Sequence, residues 1–254
     1  MEFTEYITYH KTTADYNAKK DNFNLPHVAY IEDADILDYK PYDPYGGYDY
    51  VEIGGLKWAT KNIGATSITD YGLYFQWADT QGYTADQLGS GEGQKYFGWA
   101  DYKYGNGTNL SDTTASSYMS KYNSTDGLTE LQLSDDAARV NMGSAWRIPT
   151  TEEFQTLVTS TTSAWTESYE GSNVSGVILT STDGSNKKLF FPASGLHNKG
   201  VFYKYEGSAC CYWSNSLLNS DLSIAYNLAS ESGYVTWQDS SRRRIGMPIR
   251  GVAD

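Results

Sequence analysis

Cysteine and histidine are scarce in this chain, basic residues are outnumbered, and long apolar runs are missing. Each shortage removes a class of function. The two cysteines, Cys210 and Cys211, are adjacent. Neighbouring cysteines cannot by themselves build a CxxC-type metal or redox pair, and a vicinal disulfide is strained, so two ordinary thiols are expected. The three histidines, His10, His27 and His197, show no metal-ligand spacing. No Ser-His-Asp or nucleophile-elbow pattern stands out. The adjacent acids Glu152 and Glu153 are explained better by helix capping than by catalysis. We therefore expect no enzyme, no cofactor and no metal ion. Lys and Arg number 19 against 31 Asp and Glu, for a net charge of −12. Phosphate binding needs clustered cations, and Arg242-Arg243-Arg244 is too short a cluster to supply them, so nucleic acid is excluded as a main partner. No stretch approaches the roughly 18 apolar residues of a membrane helix, and Met1-Glu2-Phe3-Thr4 opens no signal peptide. The expectation is a soluble chain, not Sec-exported and not inserted in a membrane.

What is abundant is aromatic and small. The chain holds 23 Tyr, 7 Trp and 24 Gly in 254 residues. With little Lys, Glu or Ala to favour helix, that mixture predicts strands and ordered loops. It also suits a wet recognition surface, where Tyr offers a flat amphipathic face at low entropic cost. The length allows one sizeable domain with a small appendage. Residues 1–50 alternate polar and Tyr-rich pieces, and end in the linker-like Pro41-Tyr42-Asp43-Pro44-Tyr45-Gly46-Gly47. We read 1–50 as an N-terminal extension of short strands for attachment or oligomerisation. Residues 51–254 are the main domain.

Within that domain Val51-Glu52-Ile53 and Leu56 to Thr60 flank Gly54-Gly55, a hairpin signature. Residues 79–127 read as a long ordered insertion. Ser134-Asp135-Asp136 predicts the start of a short helix. Thr150 and Glu153 form a capping box ahead of the apolar face Phe154, Leu157 and Val158, predicting a second helix. Gly176–Thr180 and Lys188–Pro192 predict another hairpin around Asp183-Gly184. Strands are also expected at Tyr212–Ser214, Ala225–Leu228, Tyr234–Trp237 and Pro248–Val252.

Several of these blocks together resemble one family. Val51-Glu52-Ile53-Gly54-Gly55-Leu56-Lys57-Trp58, with Asn62 after it, looks like the opening of the Fibrobacter succinogenes major paralogous domain. Tyr71 to Trp77 resembles its next block. Trp146-Arg147-Ile148-Pro149-Thr150, with Glu153-Phe154, resembles a motif shared with formylglycine-generating-enzyme-like domains. Phe190 to Gly195, Tyr212-Trp213-Ser214 and Gly246 to Arg250 complete the order. The resemblance covers about Val51 to Val252. It implies an α+β chain with a C-type lectin-like fold: small twisted antiparallel sheets, two helices and much ordered loop, here with a short β-rich N-terminal extension. The enzymes of that family are expected to use two cysteines several residues apart, which this chain lacks. The sugar motifs of calcium lectins are also absent, and Trp237-Gln238-Asp239 is only a faint likeness to their Trp-Asn-Asp.

The tract from about Ser208 to Ile245 resembles the variable region of proteins diversified by retroelements. In that family template adenines are randomised, and Asn codons of the AAY type dominate the target sites. Such codons cannot become Trp, Gln, Glu, Lys or Met. The resemblance therefore sorts the tract. Trp213, Glu231, Trp237, Gln238 and Met247 should be fixed, with Trp213, Leu228, Trp237, Trp146 and Arg147 as scaffold. Cys210, Cys211, Ser216, Asn219, Asp221, Ser223, Ala229, Tyr234, Thr236, Asp239, Ser240, Ser241, Arg242, Arg244 and Ile245 are the expected variable, ligand-facing positions. They should be mostly exposed on one face. The adjacent cysteines and the Arg triplet then need no chemistry. The implied function is non-enzymatic binding of a protein or glycan on a cell surface. The carrier would be a virion tail or bacterial surface in a Bacteroidetes bacterium or its phage, reached through residues 1–50, with homo-oligomers in scope. The alternative expectation is a constant carbohydrate- or protein-binding lectin-like domain without diversification.

Overall fold

The computed structural model describes residues 43–106, 111–199, 201–202 and 205–254. The strands expected in residues 1–42 lie outside the described residues. Tyr45 and Tyr48 pack edge-on against Trp146, with ring centroids 5.9 and 6.0 Å apart, so the folded unit begins at Pro44 rather than Val51.

Strands β1 (Tyr50–Ile53) and β2 (Leu56–Ala59) form the expected hairpin. Gly54 and Gly55 both have positive φ, 64° and 81°, the left-handed pair that a tight hairpin turn requires. Residues 60–106 and 111–136 then run as loop with single 3-10 turns at Ala85–Gln87, Ala115–Tyr118 and Leu133–Asp135. Helix α1 (Ala137–Met142) is capped by Asp136, which accepts from the Arg139 amide at 3.0 Å. It starts later than Ser134 predicts, because Leu133–Asp135 forms a turn that points Asp135 inward. Four donors converge on the Asp135 carboxylate: Lys103 at 2.8 Å, Lys121 at 2.5 Å, and the hydroxyls of Tyr104 and Tyr122, both at 2.7 Å. Burial opposes the charge, but these bonds outweigh it and hold the carboxyl well below its ordinary range.

Helix α2 (Thr151–Thr159) starts with the predicted capping box. The Glu153 amide donates to Thr150 Oγ1 at 3.1 Å, and the Thr150 amide donates back to Glu153 Oε2 at 2.8 Å. Arg147 grips the same Glu153 in a bidentate pair, both contacts at 2.6 Å. The Trp-Arg-x-Pro-Thr-x-x-Glu block is thus a device for starting this helix. Strand β3 (Thr161–Thr166) follows at once. Its Thr and Ser side chains face outward at a sheet edge, so it lacks the apolar alternation that would reveal it.

Strands β4 (Gly176–Ser181) and β5 (Lys188–Pro192) pair with β3 in the order β3-β4-β5. A small pair, β6 (His197–Asn198) and β7 (Val201–Phe202), leads into β8 (Ala209–Leu217), β9 (Ile224–Glu231) and β10 (Tyr234–Arg242). These three form a second antiparallel sheet in the order β10-β9-β8. Strand β11 (Val252–Ala253) closes on β2, completing a third sheet, β1-β2-β11. The predicted strand from Pro248 joins a ladder only at Val252, although the Pro248, Ile249 and Gly251 carbonyls already accept from the Trp213, Ile63 and Ala59 amides. There the buried Arg250 donates to the Ala59, Thr60 and Phe190 carbonyls, each at 3.1 Å. The described chain is therefore mixed α+β, with three small antiparallel sheets, two helices and much ordered loop. No described helix is long and apolar enough to cross a membrane.

The β8-β9-β10 sheet separates two apolar clusters. One holds Phe75, Trp77, Trp146 and Met247 with Ala209, Cys211 and Trp213 of β8. The other holds Trp58, Phe154, Leu157 and Phe191 with Cys210 and Tyr212 of β8 and Leu228 of β9. Successive residues of one strand go to opposite cores, as strand alternation demands.

Candidate functional site

The register of the second sheet sets out a grid. Ala209, Glu231 and Tyr234 stand in one cross-strand row; Cys211, Ala229 and Thr236 in the next; Trp213, Asn227 and Asp239 in the third. Directly paired residues share a face, so all nine side chains lie on one side of the sheet. Each row is buried at β8 and more open at β10. In the middle row Cys211 is 6 % and Ala229 7 % exposed, and Thr236 is half-buried. In the outer column Tyr234 reaches 51 % and Asp239 is exposed. Small side chains thus make a floor, and the free edge strand supplies the reachable groups. A β-bulge between Thr236 and Asp239 keeps Asp239 on this face.

The charge on this face is negative. Burial first, then the Asp239 and Glu231 carboxylates, pushes the Cys211 thiol up to about 12. Burial followed by the same two carboxylates raises the Tyr234 phenol. Asn227 is fully buried; its Nδ2 donates to Asp239 Oδ2 at 3.0 Å, while Oδ1 has no partner. The exposed Asp239 carboxylate is therefore the acceptor of this row that a ligand can reach; the Asn227 carbonyl is sealed beneath it.

Six of the fifteen sequence-predicted variable positions are buried, and the set does not share one face. Cys210 points into the opposite core from Cys211, is fully buried, and donates its Sγ–H to the Phe191 carbonyl at 3.2 Å. Ser223, also fully buried, holds Asp221 Oδ1 at 2.7 Å and is itself held by Arg242 at 2.6 Å. Arg244, 2 % exposed, is locked in a fork on Asp112 with both contacts at 3.1 Å, and also meets Asn198. These three are structural, correcting the expectation that they face a ligand. Cys211, Ala229 and Ile245, at 6, 7 and 8 % exposure, are likewise not surface groups; Cys211 and Ala229 serve only as the floor of the grid face. Among the others, Asn219, Tyr234, Asp239 and Ser240 are exposed, and Ser216, Asp221, Thr236, Ser241 and Arg242 half-buried. Ser240 and Arg242 fall on the reverse side of β10, by their pairing with Tyr226 and Ile224. Arg242 is engaged with Asp221 at 2.8 Å.

Of the scaffold residues, Trp213, Leu228 and Trp146 are fully buried, while Trp237 is only half-buried, packed on the edge of the second cluster. Two grid residues escaped the sequence reading of the site, Ala209 and Asn227, and Glu231 was expected only as a fixed point of the tract. Counting alternate positions back from Ala229 would have found Asn227. Arg243 also escaped. It is fully buried, bonded to the Tyr102 hydroxyl at 2.8 Å and to the Tyr122, Leu222 and Lys121 carbonyls at 3.0, 2.8 and 3.1 Å, and sits over the Trp77 ring at 5.0 Å. Nothing in the sequence separates it from its two neighbours.

Both cysteines are free thiols, and burial keeps them protonated at neutral pH, so neither is a ready nucleophile. Among the described residues no group of three or more His, Cys, Asp or Glu side chains could hold a metal ion. Compared with known proteins, the chain matches no family model, no curated protein and no solved structure.

Proposed function

We propose that this chain is a non-enzymatic binding protein whose grid face is a diversified recognition surface. It would be a retroelement target with a C-type lectin-like fold. The observation that carries the reading is a segregation across one sheet. Cys211, Ala229, Tyr234, Thr236 and Asp239, all residue types that a randomised Asn codon can produce, share one face, and three of them, Tyr234, Thr236 and Asp239, stand on its open edge strand. The reverse face is pinned by Tyr212 and Leu228 in a packed core. Backbone pairing of β8, β9 and β10 does not depend on the grid side chains, so they can change without refolding the sheet. Truncating Leu228 would cost about 2–5 kcal/mol, whereas exposed substitutions cost about 0.5 kcal/mol. That contrast is what a surface selected for variation needs.

The ligand is a protein or glycan at a cell surface, and residues 1–50 attach the domain to a virion tail or cell-surface carrier. Tyr234 is the leading contact residue, by the preference of interface hot spots for aromatic side chains. The test is the sequence of the locus. The expected finding is a near-identical template repeat beside a reverse transcriptase, differing from the Ser208–Ile245 coding tract only at template adenines. Differences scattered over other bases would refute it.

A further inference from the structure

Each three-stranded sheet has two edges, and an open edge is a template for another strand. Among the described residues all but one of these edges are covered or blunted. On β8 the Trp213, Asn215 and Leu217 amides donate to the Pro248, Pro149 and Thr129 carbonyls of neighbouring loops. β11 is bonded to Arg147. On β5 the Phe190 and Pro192 carbonyls accept from Arg250 and the Tyr212 hydroxyl. β10 is bulged, and β1 is only four residues long and carries Glu52.

The edge left open is β3. Its phase follows from the hydrogen bonds around it. The Thr182 amide donates to the Ser160 carbonyl at 3.0 Å, so Ser160 turns toward β4. The Ser181 amide goes the other way, to the Lys187 carbonyl at 2.9 Å. Backbone groups alternate along an antiparallel strand, so Thr162, Ala164 and Thr166 also turn toward β4, and Thr161, Ser163 and Trp165 aim their N–H and C=O outward. Among the described residues no backbone hydrogen bond engages those outward groups. Thr162, Ser163 and Ala164 are exposed, and the strand has no proline, no bulge and no charge, the usual devices that protect an edge.

We propose that β3 pairs antiparallel with β3 of a second copy of this chain, joining two β3-β4-β5 sheets into one. The outward groups at Thr161, Ser163 and Trp165 are symmetric about Ser163. A twofold axis there sets Ser163 against the partner's Ser163, and Thr161 and Trp165 against the partner's Trp165 and the partner's Thr161. Each such pair exchanges two hydrogen bonds, about six in all. The side chains suit this register. Trp165 meets a β-branched Thr161, a favourable cross-strand pair, and on the other face Thr162 meets the small Ala164. No like charges stand opposite one another on the strand. In a chain of net charge −12 that neutrality matters, because two copies repel wherever acidic surfaces approach. The ladder is short, so the dimer is weak and reversible. The pairing does not depend on the reading of the grid face, and uses none of its residues.

The test is sedimentation velocity of the full chain from about 5 to 500 µM, with a monomer–dimer equilibrium of Kd below about 200 µM expected. Ser163→Pro is the diagnostic variant. The Ser163 N–H points away from β4, so proline there removes no bond within the sheet but blocks the centre of the new ladder. Ser163→Lys is the second variant, since it sets two ammonium groups against each other across the axis while Ser163 is exposed and tolerant. Each should weaken the dimer at least tenfold with far-UV circular dichroism unchanged, and Tyr234→Ala should leave it as it was. If Ser163→Pro disturbs the fold, Ser163→Lys decides. A chain that stays monomeric throughout overturns the proposal, as does a closed trimer or larger species, or a dimer indifferent to the Ser163 variants. Loss of the dimer in Tyr234→Ala alone would place the contact on the grid face and would also overturn it.

Discussion

Replacing Arg242, Arg243 and Arg244 one at a time by alanine should give three very different stabilities. Arg243 is fully buried and donates to a phenol and three carbonyls. Hydrogen bonds from a charged donor are worth about 1.5–3 kcal/mol each, though not additively, and truncation also strands the acceptors. Cation–π contact with Trp77, Tyr102 and Tyr122 adds to the loss. We expect Arg243→Ala to cost about 4–6 kcal/mol, at the upper end for a single substitution. For a unit of this size that lowers Tm by roughly 10–20 °C. Arg244→Ala breaks a fork in which the guanidinium is buried but Asp112 is 39 % exposed, so about 2–3 kcal/mol is expected, less than for a fully buried pair. Arg242→Ala removes a half-exposed ion pair with Asp221 and should cost no more than about 1 kcal/mol. Urea denaturation followed by tryptophan fluorescence measures all three. If Arg243→Ala falls within about 1 kcal/mol of Arg242→Ala, the assignment of Arg243 as a core anchor is wrong.

Three further outcomes follow from the same structure. His197 is buried between the Tyr74 and Phe97 rings, and burial lowers its imidazole to about 4 from an ordinary value near 6.5. The fold holds it neutral and the unfolded chain protonates first, so stability is full above about pH 6.5 and falls toward pH 4, by up to about 3 kcal/mol. A denaturation series across that range should show the slope, and His197→Gln should flatten it. Cys210 and Cys211 should both resist a soluble disulfide reagent at pH 8 in the native protein and both react in urea; rapid native labelling of either would contradict their burial. The double variant Tyr234→Ala with Thr236→Ala should lose about 1 kcal/mol or less, because both sit toward the open edge of the sheet; a cooperative collapse would show that the grid face is part of the core.

The hairpins and the second helix were legible because their signals are local. Gly-Gly between alternating strands, and Thr150 three residues before Glu153, carry their own geometry. The candidate site was legible as a tract but not as a surface. Cys210 and Cys211 look alike in sequence, and only the pairing of Cys211 with Ala229, which pairs in turn with Thr236, puts one on the grid and the other in the opposite core. Long-range partners hid the rest. Arg243 is fixed by Tyr102 and Tyr122, and Asp135 by Lys103 and Lys121, across loops that carry no periodic signal. Strand β3 was invisible because its polar side chains cover an edge rather than a core.

The bulge at Trp237 and Gln238 also sets a phase. Before it, even-numbered side chains of β10 face the grid, as at Tyr234 and Thr236; after it the odd-numbered ones do, at Asp239 and Ser241. The strand is thus two combs of opposite parity joined at a hinge of two residues. Deleting one of those two residues would remove the bulge and leave one regular comb, with Asp239 still opposite Asn227 and Ser241 still on the grid face. Point changes on this strand alter what is displayed, whereas the bulge lets its length differ by one residue from its partner's without altering which side chains are displayed.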